Sequence, residues 1–451
     1  MNSLYKSVLA KITPPKNELL AEKKLVEEIR AKLKKIKGKH SHIEWCGSSA
    51  RGTHLRGDRD LDLFLMFDKE LPANELESEG LRIAKELFKG EKWELAYSQH
   101  PYVRGEIKGF EVEIVPSYIV ASGAEKQSAV DRTPFHNKYL LQKMNDKQRQ
   151  DSRLLKQFLK GINAYGADLK NQALPGYGVE LLILYYGSFD KTIKAMSNWK
   201  EKEILMYKKL LRDPTNEFFT PLVMIDPVDD NRNVASALSV EQYNKMRSAA
   251  KMFLKNPSEK FFFGHPVEVW PKEKILAELN RREFLAVQAE FPKEILSDLM
   301  WGQLRRYLRK TATQLEEKEF VVKKMDLWSD EEKVFFLFEL NALELEKRKK
   351  AFGPPASDKE NVKRFLEKKR KIISGPKEEN GRIVIEIERE ETSAKKTLEQ
   401  FIKTCQKTET DGIKVCLKKA KVLNEKEILT HYSGTFAEHL TKYFEGKEAF
   451  E

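Results

Sequence analysis

Apolar and polar positions alternate with a period of two through DLDLFLMF, residues 60–67. Leu61, Leu63, Leu65 and Phe67 therefore share one face of a strand, and Asp60 and Asp62 share the other. Upstream, Thr13-Pro14-Pro15 opens a helix in which Leu25, Ile29, Leu33 and Ile36 recur at helical spacing until Lys37-Gly38-Lys39 stops it. Another amphipathic helix is predicted near residues 75–89, and short strands over YSQHPYVRGEIKGFEVEIVPSY, so the first segment reads as mixed α/β. From about residue 140 to 256 the pattern is mostly helical, strongest in SRLLKQFLKGINAYG and GYGVELLILYYGSFDKTIKAM. Beyond FFFGHPVEVWP the chain becomes mixed and charged. It carries a basic helix DLMWGQLRRYLRKTATQLEEK, a turn-rich break at GPPASDKE, the run KKRKIISGPK and an alternating strand GRIVIEIERE. No repeat of solenoid period occurs. The fold class is α+β and multidomain: a mixed sheet with helices, a helical second domain and C-terminal α/β domains.

Two carboxylates side by side on one strand face repel each other and need a cation. Oxygen-rich sites of this kind suit Mg2+ or Mn2+. An isolated Asp-x-Asp is more often a solvated edge strand, so the rest of the pattern has to decide. In GFEVEIVPSY, Phe110, Val112 and Ile114 fall on one face and Glu111, Glu113 and Val115 on the other. Either glutamate joins the aspartates if this strand lies beside theirs. Three carboxylates on neighbouring strands can hold two divalent cations about 4 Å apart, one at an attacking hydroxyl and the other at a triphosphate. The Gly47-Ser48 turn just ahead of the strand offers backbone N–H groups and a hydroxyl to phosphate oxygens, and no GxxxxGK[ST] is present. Phosphoryl transfer without a P-loop is the chemistry this pattern fits.

Composition narrows the partners. A chain of 451 residues exceeds one compact core, and domains of about 100 to 200 residues give three or four of them. Lys+Arg 82 against Asp+Glu 70 leaves a formal charge of +12, which favours a polyanionic partner. Cys46, Cys405 and Cys416 show no CxxC spacing and are too few for a disulfide framework, as expected in a reducing cytoplasm. No signal-peptide core and no apolar run of membrane-spanning length occur, so no membrane association is expected.

The Gly-Ser turn, the Asp-x-Asp strand and a further acid on a later strand resemble the DNA polymerase beta-like nucleotidyltransferase superfamily. AVDRTPFHNKYL, ELLILYYGSF and DPVDDNRNVASALS resemble, in order, the conserved blocks of archaeal-type (class I) CCA-adding enzymes, and GPPASDKENVKRFL extends the resemblance more loosely. That resemblance implies a catalytic head over 1–140, a nucleotide-binding neck over 141–260, a tRNA-binding body over 261–318 and 391–451, and a tRNA-binding tail over 319–390. It implies template-independent addition of C, C and A to the 3′ end of tRNA from CTP and ATP, with two Mg2+ ions (Mn2+ as the alternative), in the cytoplasm, by a homodimer. Asp60, Asp62 and Glu113 match the metal ligands, although the family's third acid tends to be Asp, a difference of one methylene in reach. Gly47, Ser48 and Arg51 match the phosphate-side turn, and Thr133 and His136 match positions facing the triphosphate and sugar. Lys156 and Tyr165 match residues that clamp the phosphates, and Arg232 matches a residue that holds the incoming base.

Each has a plainer alternative. His136 reads equally as an exposed loop residue, Lys156 as a solvated helix face, Tyr165 as a helix-end cap and Arg232 as an ordinary loop charge, while the aromatics of LLILYYGSF read as helix core. For tRNA, the candidate phosphate contacts are Arg305, Arg306, Arg309 and Lys310 on the basic helix, and Lys368, Lys369, Arg370 and Lys371 further on. The competing functions are a poly(A) polymerase or oligoadenylate synthetase, which would use ATP alone on generic RNA ends, and a non-catalytic RNA-binding protein of the same fold.

Overall fold

The computed structural model describes residues 3–97, 101–210, 212–368, 371–448 and 450, and two of the candidate tRNA contacts, Lys369 and Arg370, lie outside them. The chain divides into one compact unit of residues 1–266 with 448–451 and a second of 267–447.

The first unit begins with a five-stranded sheet. Its strands are β1 (His40–Cys46), β2 (Asp60–Asp68), β3 (Lys92–Tyr97), β4 (Pro101–Ile107) and β5 (Phe110–Ile119), in the order β1-β2-β5-β4-β3. Only β2 and β5 run parallel. Alternation decides which side of this sheet is core. Leu61, Leu63, Leu65 and Phe67 pack with Val112 and Ile114 against Leu25, Val26, Ile29 and Leu33 of helix Lys16–Leu33 and Ile83 and Leu87 of helix Ala73–Leu87. Burying one such leucine contributes about 2 kcal/mol, so a slip of one residue, which would turn the whole set outward, is strongly opposed. Register is thereby fixed, and with it the face on which the acids stand.

The rest of this unit is helical around a core led by Leu154, Leu155 and Phe158 of helix Asp146–Gly161, Leu181, Leu182 and Ile183 of helix Gly176–Tyr186, and Phe253 of helix Val240–Lys255. Gly187, in the left-handed region at φ 89°, ends helix Gly176–Tyr186. The expected helical second domain is corrected here in one respect, because it also contains a three-stranded sheet, β6 (Glu203–Leu205), β7 (Leu222–Asp226) and β8 (Asp229–Asn233). LVMID is buried at every position, so it shows no alternation to mark it as a strand. The boundaries shift too. Tyr5, Val8, Leu9 and Ile12 of an N-terminal helix, Ser3–Ile12, pack into this helical core rather than the five-stranded sheet, and so does Phe450 from the far end of the chain.

In the second unit, β9 (Phe284–Glu290), β10 (Val322–Ser329), β11 (Lys333–Leu340), β12 (Arg348–Pro355), β13 (Ile372–Glu379), β14 (Arg382–Glu388) and β15 (Lys421–Leu423) form two sheets, β10-β11-β9-β15 and β12-β14-β13. Strands β10 and β11 thus belong to the larger sheet, so the segment expected as a tail over 319–390 is split between the two sheets. GPPASDKE is not a break throughout: Gly353-Pro354-Pro355 end strand β12 at a sheet edge, where a missing N–H is tolerated, and only then does the chain turn into helix Lys359–Leu366.

Candidate active site

Strands β2 and β5 lie parallel and in register, with Asp60 opposite Glu111 and Asp62 opposite Glu113. The face that carries Phe64, Met66 and Val115 further along the strands carries these acids at their starts, away from the leucine core. Their electrostatics differ from those of ordinary surface acids. Burial, then the neighbouring Glu111 and Asp58, raises the pKa of Asp60. Burial also raises that of Asp62, against the pull of Arg51. Burial and the Asp62 charge push Glu113 up to about 7, although Tyr102 donates a hydrogen bond to its Oε1 at 3.2 Å. The carboxylates are held together without enough positive charge to match them. As the side chains rest, no three His, Cys, Asp or Glu groups among the described residues stand close enough to enclose an ion. The donor set nevertheless fits a divalent cation, being all oxygen, on adjacent strands and destabilised as anions.

Gly47 explains why the turn precedes this strand. Its φ is 77°, and a Cβ there would lie 1.7 Å from Asp62 Oδ2. Glycine therefore serves both the left-handed backbone and the close approach of the Asp62 carboxylate. Ser48 follows at the start of the short helix Gly47–Arg51. Arg51 departs from expectation. Expected among the phosphate ligands, it turns inward and pairs with Glu180, donating from Nη2 to Oε2 at 2.9 Å and from Nε to both carboxylate oxygens at 3.1 Å. Glu180 also accepts from the Thr53 hydroxyl. This ion pair is buried on both sides and joins the turn to helix Gly176–Tyr186. Glu180 was missed from sequence, yet it is the one charged residue in GYGVELLILYY, and a lone carboxylate in an apolar helix must be paired.

Lys156, read alternatively as a solvated helix face, is 2 % exposed. Burial lowers its pKa to about 8, while Glu180 and Asp58 draw it upward. Its Nζ lies 5.9 Å from the Tyr165 ring centroid, with Lys160 Nζ at 5.5 Å. Tyr165 lies beyond the helix that carries both lysines, in a bridge to Leu174, and is not a helix-end cap.

Past β5 the chain is shaped by Asp131. Its buried carboxylate accepts from Ser117 Oγ at 3.0 Å and from the backbone N–H groups of Tyr118, Gln127 and Ser128. Helix Thr133–Lys143 starts immediately after, with Thr133 half-buried at its first position. His136 is no exposed loop residue. It is buried, stacked on Tyr177 at 3.9 Å between ring centroids, and its Nε2 lies 2.8 Å from Asp226 Oδ2. The same Oδ2 accepts from Arg232 Nη1 at 2.8 Å, and Oδ1 accepts from the Tyr177 hydroxyl at 3.1 Å. Although burial alone would raise it, His136 and Arg232 bring the Asp226 carboxyl down to about 2. Nearby, Asp229 pairs with Lys126 at 2.8 Å and Arg132 at 3.0 Å. Sequence reasoning singled out Arg232 in DPVDDNRN but neither of the aspartates that hold it and its neighbours.

The candidate tRNA contacts are less concentrated. On helix Ser297–Glu317, Arg306 and Lys310 are exposed but both pair with Glu409, Arg309 is exposed and Arg305 is half-buried. Lys368 is exposed, and Lys371 pairs with Glu388.

Three family models match the chain in succession: a nucleotidyltransferase domain over residues 22–136, the second domain of tRNA nucleotidyltransferase over 150–263, and the C-terminal domain of CCA-adding enzyme over 281–425. A CCA-adding enzyme of Methanosarcina mazei is 37 % identical over 412 residues, covering 88 % of this chain and 89 % of its own. The chain belongs to the CCA-adding enzymes. Relatives of the same name from Methanocaldococcus jannaschii and Saccharolobus shibatae are 36 % and 35 % identical, over 83 % and 87 % of this chain and 85 % and 90 % of theirs. Among solved structures, a cytoplasmic RNA terminal U-transferase aligns with 58 % of this chain and 98 % of its own at 16 % identity and a TM-score of 0.47. CCA-adding enzymes are nucleotidyltransferases, so the in-register acids of β2 and β5 in this one stand within its nucleotidyltransferase domain. No helix among its described residues is long and apolar enough to cross a membrane.

Proposed function

We propose that this CCA-adding enzyme extends the 3′ end of tRNA by C, C and A from CTP and ATP, with catalysis at the acids of β2 and β5. The observation that carries this reading is the pairing of Asp62 with Glu113 across parallel strands, with Gly47 shaped to admit the Asp62 carboxylate. Asp60, Asp62 and Glu113 would hold divalent cations, Mg2+ in this reading with Mn2+ as the alternative. What such ions supply is a lowered pKa at the attacking 3′-hydroxyl and neutralisation of charge on the leaving pyrophosphate.

The protein's own groups do the rest. Asp60, Asp62 and Glu113 supply the negative charge and the hard oxygen donors that suit a divalent cation. Ser48 and Thr133 offer hydroxyls to the triphosphate, and the Lys156 ammonium, set beside Tyr165 in a buried pocket, offsets charge that builds on the departing oxygens. Arg51 acts one step back, pinning the turn through Glu180. His136 and Arg232 face the nucleoside, with Arg232 donating to the base. Bond making joins the 3′-oxygen to the α-phosphorus, and the α–β bridging bond breaks with its electron pair leaving on pyrophosphate. The C-terminal unit, with Arg305, Arg306, Arg309, Lys310 and Lys368, grips tRNA through phosphate and shape, as duplex RNA requires. A cytoplasmic location and a homodimer belong to the same reading.

The test is incorporation of labelled CTP and ATP, separately and together, into tRNA transcripts ending at the discriminator base, at C and at CC. Ordered addition that stops at CCA is expected. ATP incorporation without limit on any RNA end would instead make the protein a poly(A)-type polymerase.

A further inference from the structure

The motif DPVDDNRN contributes more than its arginine. Asp226 is fully buried at the end of β7, and four donors converge on it from separate elements. His136 Nε2 and Arg232 Nη1 share Oδ2 at 2.8 Å each, while Tyr177 Oη and the Val228 N–H share Oδ1 at 3.1 Å each. A buried carboxylate held by an arginine and three further donors is a poor way to gain stability, since apolar packing does as well, so it is better read as fixing geometry. It also fixes chemistry. An ionised carboxylate only accepts, so the imidazole carries a proton on Nε2, and burial, which lowers the ring's pKa, favours the neutral form with Nδ1 as acceptor. Arg232 meanwhile gives one guanidinium edge to Asp226 and keeps a side chain that is 28 % exposed.

We propose that Asp226 is a positioning residue for base selection, locking His136 and Arg232 to one oxygen so that the sugar-facing ring and the base-facing guanidinium hold a single relative placement. The proposal rests on the reading of His136 and Arg232 as nucleotide-facing. Its physical content is that neither side chain moves without straining the other's bond. An asparagine at 226 breaks this, because it offers one accepting oxygen and one donating nitrogen, and the nitrogen must face either the His136–Arg232 pair or the Tyr177–Val228 pair.

The experiment compares Asp226→Asn, Arg232→Ala and Tyr177→Phe with the unaltered enzyme, measuring kcat/KM for CTP against UTP on tRNA ending at the discriminator base, and for ATP against GTP on tRNA ending at CC. For Asp226→Asn, discrimination falls about tenfold, the scale of one charge-assisted hydrogen bond. The loss appears in the KM for the nucleotide rather than in kcat, and tRNA affinity is unchanged. Tyr177→Phe, which deletes a single hydroxyl and keeps the ring stacked on His136, shifts the ratio in the same direction by a smaller factor and covers the case in which the asparagine variant is too unstable to assay. A merely structural Asp226 would depress cognate and non-cognate incorporation alike and leave their ratio unchanged, which overturns the proposal. Arg232→Ala losing discrimination while Asp226→Asn and Tyr177→Phe keep it also overturns the proposal and leaves the site reading intact. Discrimination kept by all three variants removes the base-reading role of Arg232, and the proposal with it.

Discussion

Two groups of acids lie in the N-terminal unit, and they are opposites. At the start of β2 and β5, Asp60, Asp62 and Glu113 stand in register with too little positive charge nearby, and all three carboxyls are raised, Glu113 to about 7. At the turn between β7 and β8, Asp226 and Asp229 are even more deeply buried, yet each is met by two basic side chains, and both are lowered, Asp226 to about 2. The difference teaches that burial of a carboxylate does not by itself mark a catalytic centre. Acids whose partners are all protein groups hold their neighbours in place, whereas acids left short of charge are the ones we propose to meet a cation brought from solution.

The sharpest way to break that contrast is to neutralise one acid from each group. Asp62→Asn is expected to lower nucleotide incorporation by at least about a thousandfold, since it removes a carboxylate proposed to hold the cations that stabilise the transition state. Its tRNA affinity, read by filter binding, should be unchanged. In metal-free buffer the same variant should be slightly more stable, by roughly 1 kcal/mol, because an unmatched buried charge has gone. Asp226→Asn should do the reverse in denaturant melts, losing about 3 kcal/mol as the Arg232 guanidinium and the His136 Nε2–H lose their shared acceptor. Equal signs for the two stability changes would erase the distinction between the groups.

A second, smaller test addresses how the unmatched group is held. Gly47→Ala places a methyl where Asp62 Oδ2 now stands, at 1.7 Å, on a backbone with φ of 77°. The carboxylate must move by about an ångström, and misplacement on that scale costs about a hundredfold in rate. Gly52→Ala is the control: its φ is also positive, at 65°, but a Cβ there meets nothing closer than 3.9 Å. If the two variants lose activity equally, backbone strain rather than the approach of Asp62 is the reason for glycine at 47.

The contrast between the two groups also explains what could be read from sequence. Period-two alternation placed Asp60 and Asp62 on one face and Glu111 and Glu113 on another strand's matching face, and the structure has them in register, because a one-residue slip would bury acids and expose leucines. The unmatched acids are legible since their oddity is local. Asp226, Glu180 and Asp131 are not, because what identifies them is the partner across space: His136, Arg51, and the Ser117 hydroxyl with the Tyr118 amide are brought to them by tertiary folding. For the same reason His136 and Lys156 looked like candidates for exposed residues and proved to be buried. The small sheet β6-β7-β8 escaped notice because LVMID is buried throughout, and GPP read as a break although it ends an edge strand. Local periodicity reports one exposed face; it is silent where a strand has none or where proline sits at an edge.

Lys156 belongs to neither group and gives the finest test, being the cation we propose to meet the anionic triphosphate. Burial holds its pKa at about 8 instead of the usual 10.5. Between those values the unfolded chain binds the proton that the folded site has released, so folding stability contributed by this group rises with pH across that window and is lowest below pH 8. Nucleotide capture should run the other way, because only the ammonium offsets phosphate charge. Accordingly, kcat/KM for CTP is expected to fall severalfold as pH rises through about 8, while the melting temperature does not fall in step. Lys156→Arg keeps its charge throughout that range and should lose this alkaline limb, at the cost of some activity at neutral pH from the bulkier guanidinium. An alkaline limb that persists unchanged in the arginine variant would assign it to another group and leave Lys156 as a structural cation held by Glu180 and Asp58.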